Sequence, residues 1–99
     1  MADYTVRVEL YRASDEDYAR LDVSMKRAGF SRLVTGGGGA CYELPTGEYS
    51  LSAPTGESAW IQASTRELAD AITPNPRILV TEAVARAWSL PRVRAPVEG

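Results

Sequence analysis

The chain contains no histidine. That absence removes imidazole general bases, His-assisted nucleophiles and every metal site built on imidazole. Cysteine is nearly absent too: Cys41 stands alone, so no internal disulfide can form, and a reducing, cytoplasmic setting is expected. Without a histidine to activate it, that thiol reads as passive. No apolar run approaches the ~20 residues of a membrane span, and MADYTVRVEL lacks the charged-then-apolar pattern of a leader, so no membrane partner is expected. Positive charge is not in excess either. Eleven Lys and Arg against 13 Asp and Glu leave a net charge of −2, which gives no global attraction to nucleic acid and leaves only a local basic patch as a route to it.

What is present is an ordinary globular balance, 44% hydrophobic and 24% charged over 99 residues, enough for a single core. A single domain over residues 1–90 is expected, with residues 91–99, rich in Pro, Arg and Val, as a loose C-terminal tail.

Tyr4, Val6, Val8 and Leu10 alternate with Thr5, Arg7, Glu9 and Tyr11, the period of a half-buried strand. Ser14 with Asp17 forms a capping box, and Tyr18, Leu21, Met25 and Ala28 make one apolar helical stripe. Glu16 to Arg20 and Asp22 to Lys26 have the spacing of ion pairs on the wet side. Gly29 stops this helix, and Phe30 folds back over its last turn. Phe30 to Thr35, Ala40 to Leu44, Glu48 to Ala53 and Arg77 to Glu82 have strand character, with Ser58 to Ala63 a weaker candidate. Ser64 with Glu67 forms a second capping box, opening a helix with Leu68, Ala71 and Ile72 as its stripe. The order strand, helix, strands, helix, strand predicts an α+β fold, a ferredoxin-like split βαβ sandwich. Its single antiparallel sheet would carry both helices on one face and an elaborated central hairpin between Ala40 and Ala63.

The run Gly36 to Gly39 invites a phosphate-loop reading, but the required spacing to a second glycine followed by Lys and Ser or Thr fails. No helix is expected to start there, so the run reads as a hairpin tip, and no nucleotide cofactor is expected. The tetrad Pro-Thr-Gly-Glu occurs twice, at residues 45–48 and 54–57, and reads as two similar turns, Pro presetting φ and Gly relieving the exit. Asp15, Glu16 and Asp17 could hold Mg²⁺, as clustered carboxylates do, but they occupy a helix's first turn, where the dipole favours negative charge. The remaining candidate is a surface. If Val6 and Val8 face the core, Arg7, Glu9 and Tyr11 point the other way, and Arg32 has a phase that could join them. Such a face could grip RNA phosphate and stack a base, or could close against a second subunit. Trp60 and Trp88 are expected to be buried.

YTVRVELYRAS, the helix ending AGFSRLV, YELPTGEYSLS and ILVTEAVARAW together resemble the GhoS-like family of small bacterial proteins, over Tyr4 to Trp88. The resemblance implies a ferredoxin-like fold, similar to that of the small dimeric CRISPR-associated nucleases. It implies a cytoplasmic antitoxin endoribonuclease that cleaves a toxin's messenger RNA. An ungapped match places Glu9 where the family has an aspartate late in its first strand, and Asp22 where it has an arginine on its first helix. The resulting expectation is an RNA-acting homodimer with Glu9 as the catalytic carboxylate and Arg7, Tyr11 and Arg32 binding RNA. The competing expectation is a non-enzymatic interaction module on the same fold, using a strand edge or the sheet face.

Overall fold

The computed structural model describes residues 1–94. Eight elements follow one another: β1 (Ala2–Glu9), α1 (Asp15–Arg27), β2 (Leu33–Thr35), β3 (Cys41–Glu43), β4 (Glu48–Ala53), α2 (Ser58–Asp70), β5 (Arg77–Ala83) and β6 (Arg92–Val93). The chain is thus an α+β domain with two helices and two antiparallel three-stranded sheets. The larger sheet has the order β4-β1-β5 and the smaller β2-β3-β6.

Two sheets replace the single one expected. Ser31 makes one bridge to Ser50 on β4, with reciprocal N–H to carbonyl bonds of 2.8 and 2.7 Å. The chain then turns away, and Leu33–Thr35 pairs with Cys41–Glu43 instead. The glycine run closes that hairpin: Gly36 N–H donates to the Ala40 carbonyl at 2.8 Å. A partner a few residues away is entropically nearer than an edge strand across the domain. The tip reading of Gly36 to Gly39 therefore agrees with the fold. The stretch from Pro91, expected as loose, supplies β6, which pairs with Cys41 and Tyr42 of β3. Residues 95–99 of that expected tail lie outside the described residues.

The core sits between the larger sheet and the helices. Tyr4, Val6 and Val8 of β1 are buried with Tyr49 of β4, Leu21 and Met25 of α1, and Ile61 and Ala69 of α2 in one cluster. Both helices therefore cover the same sheet face. The expected capping box is present on α1: the Ser14 hydroxyl accepts from Asp17 N–H at 3.1 Å, and Asp17 Oδ2 accepts from Ser14 N–H at 3.0 Å. Gly29 has φ +97°, and Phe30, buried, donates its N–H back to the Met25 carbonyl. The surface pairs expected on α1 are replaced: Arg20 binds Asp17 at 2.6 Å, and Asp22 turns to Tyr49 and Arg32.

The second helix begins earlier than expected. Ser58 to Ala63 is helical, and Ser64 lies inside α2, not at its cap. Ile61, Thr65 and Ala69 are its buried line, four residues apart, and burial of that line overrides the Ser64–Glu67 pattern. Trp60, expected inside, is 63% exposed because it lies off that line. Among the described residues no helix is long and apolar enough to cross a membrane.

Candidate functional site

The face of the larger sheet opposite the helices carries the outward positions of three strands. On β1 these are Asp3, Thr5, Arg7 and Glu9. The register sets Arg7 between Glu48 of β4 and Leu79 of β5, and Glu9 opposite Arg77. Arg77 Nη1 lies 3.6 Å from Glu9 Oε1 in an exposed pair. Arg7, Glu9, Arg77, Ile78 and Leu79 surround a shallow groove of about 320 Å³. Two guanidinium groups and one carboxylate thus line one open groove, with Leu79, 63% exposed, beside them.

This groove contains two of the four expected residues, Arg7 and Glu9. Tyr11 is not brought to it. β1 ends at Glu9, Leu10 turns inward, and Arg12 adopts φ +51°, so the chain leaves the sheet in a turn. Tyr11 is exposed there, 5.2 Å from the Arg12 guanidinium. Arg32 is on the other side of β4. Its Nη1 donates to the carbonyls of Pro45 and Glu48, the latter at 3.0 Å, and its Nη2 to that of Leu44 at 2.8 Å. Its guanidinium lies 5.8 Å from the Tyr49 ring, which faces the core, and Arg32 Nε is 3.8 Å from Asp22. A guanidinium committed to three carbonyls holds a turn closed and has few donors left for phosphate.

Arg77 takes the place expected for Arg32. Its signal was legible: in RILVTE, Arg77, Leu79 and Thr81 share the phase opposite Ile78 and Val80. The register with Glu9 was not, because it depends on which strands pair across the fold.

A second polar cluster, missed from sequence, lies at the start of α2. Glu82 Oε1 accepts from Gly56 N–H at 2.8 Å and lies 2.9 Å from the Tyr4 hydroxyl. That hydroxyl also lies 2.6 Å from the Pro54 carbonyl and accepts from Glu57 N–H at 3.0 Å. The Gly56 N–H, and then the Tyr4 hydroxyl, hold the Glu82 carboxyl below its usual range. Burial holds the Tyr4 phenol above its own. Burial and the Asp22 carboxylate, 2.5 Å from its hydroxyl, do the same to Tyr49. These groups fasten elements together and present no open acid–base pair. Among the described residues no three carboxylate or thiol groups gather as a metal site, and Asp15, Glu16 and Asp17 form the helix's first turn. Cys41 is half-buried, 3.9 Å from Thr35 Oγ1.

A scan against models of known protein families returns no match, and a search of curated proteins returns none either.

Proposed function

We propose that the chain is an RNA-acting protein of the GhoS-like kind, with the groove of Arg7, Arg77 and Glu9 as its phosphodiester site. The observation that carries this reading is the sharing of one open groove by two guanidinium groups and a carboxylate. Paired guanidinium groups suit phosphate oxygens, and a carboxylate beside them can take the proton of a ribose 2′-hydroxyl. The 2′-oxygen then bonds to phosphorus as the bond from phosphorus to the 5′-oxygen breaks. Solvent protonates the leaving oxygen, giving a 2′,3′-cyclic phosphate and a 5′-hydroxyl end. This step requires no imidazole, which the chain lacks. Were Mg²⁺ to take part, Glu9 is the groove residue that would hold it, and the ion would supply charge neutralisation at the phosphate.

The frame behind the groove is proposed as ferredoxin-like. The order β4-β1-β5, with the Ser31–Ser50 bridge at the outer edge of β4, supplies three strands and the start of a fourth in that arrangement. A cytoplasmic setting and self-association belong to the same proposal.

End-labelled RNAs, incubated with the protein in Mg²⁺ or in EDTA and run on denaturing gels, test it. Wild-type protein is expected to make discrete cuts. Glu9→Gln should slow them by about 10²–10⁴-fold, the usual contribution of a general base. Replacing Arg7 and Arg77 together by Ala should abolish them while the fold survives, because both side chains are exposed. Cleavage that survives Glu9→Gln unchanged rejects the assignment.

A second reading has its own support. β5 is an edge strand with Leu79 63% exposed, a surface suited to strand addition by a partner or a second copy. Intact RNA in every lane, together with self-association that Leu79→Lys abolishes in sedimentation, would transfer the function to that edge.

A further inference from the structure

The cleft between the two sheets takes no part in the groove chemistry. It measures about 430 Å³, within the ~300–1,000 Å³ range of small-molecule sites, and Asp3, Thr35, Ser50, Ser52, Arg86 and Trp88 line it. Arg86 reaches back from the segment after β5: its Nη2 donates to the Tyr4 carbonyl at 2.6 Å and its Nη1 to Ser50 Oγ at 3.1 Å. A guanidinium carries five N–H donors. These two bonds leave most of them over, and the buried Nε has no partner among the described residues. Asp3 is exposed and accepts one bond from Ser52 Oγ at 3.0 Å, whereas a carboxylate offers about four acceptor sites. Ser50, which Arg86 holds, faces Thr5 across the ladder, and Asp3 is the next outward residue of β1. The residue that Arg86 holds and the carboxylate are therefore two positions apart in register, about 7 Å along the strand. Trp88 stands at the same cleft, packed on Tyr42 at a centroid distance of 5.8 Å and a tilt of 52°.

We propose that this cleft binds a guanine base, stacked on Trp88, with Arg86 at its O6 and N7 and Asp3 at its N1–H and amino group. Guanine is the base that presents two adjacent acceptors on one edge and two adjacent donors on the next. Adenine has a donor where O6 would be and no N1–H, and the pyrimidines lack the O6/N7 pair. Stacking on an aromatic ring with hydrogen bonds to the base edges is how single-stranded RNA is read. Asp3, Thr5 and Arg7 are successive outward positions of β1, so the base would lie about 13 Å from Arg7 along the strand. The inference rests on the RNA-acting reading for the origin of the base, and gives that reading a base preference. Binding of the base itself is measurable without any cleavage.

The test uses the Trp60→Phe variant, which leaves Trp88 as the one indole reporter. 5′-GMP, AMP, CMP and UMP are titrated separately, with fluorescence as the readout. GMP is expected to quench saturably and to bind at least about tenfold more tightly than the others, the scale of one lost bidentate base contact. Asp3→Asn in the same background should remove that preference without lowering the melting temperature, since Asp3 is exposed. No saturable quenching, equal affinity for all four nucleotides, or unchanged GMP affinity in Asp3→Asn would each overturn the proposal. GMP binding by a protein that cuts no RNA would sink the nuclease reading and leave the base site standing. RNA cleavage without GMP binding would do the reverse.

Discussion

The tetrad Pro-Thr-Gly-Glu occurs twice, and the molecule holds its two copies differently. Gly47 and Gly56 share a φ of +82°, so the same four residues make the same left-handed exit. After that the copies diverge. Glu48 N–H donates to the Pro45 carbonyl at 3.0 Å, closing the first turn on itself, and β4 follows. In the second copy the Tyr4 hydroxyl stands where that bond would be, between the Pro54 carbonyl and Glu57 N–H, and α2 follows. Local sequence set the glycine's conformation, because only residues without a Cβ adopt it freely. What came next was set by the residues downstream: EYSLSA places Tyr49 inward at strand spacing, whereas the chain after Glu57 places Ile61, Thr65 and Ala69 inward at helical spacing.

The sharpest way to break the comparison is to put a methyl group on each glycine. At Gly47 a Cβ would lie 2.4 Å from the Val8 carbonyl oxygen and 3.3 Å from the Tyr18 ring. The backbones are that close because Val8 N–H donates to the Gly47 carbonyl at 2.7 Å. At Gly56 a Cβ would meet nothing within 4 Å. Gly47→Ala therefore adds a backbone clash to the left-handed strain and should destabilise by about 3 kcal/mol or more. Gly56→Ala carries the strain alone, about 1–2 kcal/mol. Urea unfolding of both variants checks this. Equal losses would mean that packing against β1 does not distinguish the two turns.

That contrast also marks how far the sequence could be read. The alternation in β1, the capping box at Ser14, the Gly29 stop and the bounds of β4 were legible, because each depends on neighbours within a few residues. Arg7 and Glu9 were placed on the open face by the same alternation. Arg32 was not, since its position depends on whether β2 continues along β4 or folds back on β3, a choice between distant and local partners. The start of α2 was missed because Glu57 makes no side-chain cap; its N–H is taken by Tyr4, 53 residues away in sequence. Glu82 was missed for the same reason. It is an acidic residue in phase with the inward-facing Ile78 and Val80, and only the register beside Tyr4 explains it.

Glu82 yields the smallest but most selective test of the two turns. In the second copy a side chain from β5 holds the glycine N–H, whereas the first copy is fastened by the β1 backbone and Arg32, groups that do not titrate at low pH. The Gly56 N–H and the Tyr4 hydroxyl favour the ionised Glu82, so its folded pKa lies below the unfolded value of 4.5. Stabilisation from a lowered carboxyl is complete above the unfolded value and is lost as pH falls through the folded one. Wild-type stability should thus decline below pH 4.5, and Glu82→Gln should start lower at neutral pH and decline less steeply. Some decline will persist in the variant, because Asp17 is also held low, by Ser14 N–H and then Arg20. Urea midpoints measured from about pH 7 to about pH 3 separate the cases. Parallel curves for wild type and Glu82→Gln would show that the carboxylate does not hold the second turn. Convergence at low pH, with Gly47 variants keeping the wild-type slope, would show that the two copies are fastened by different chemistry.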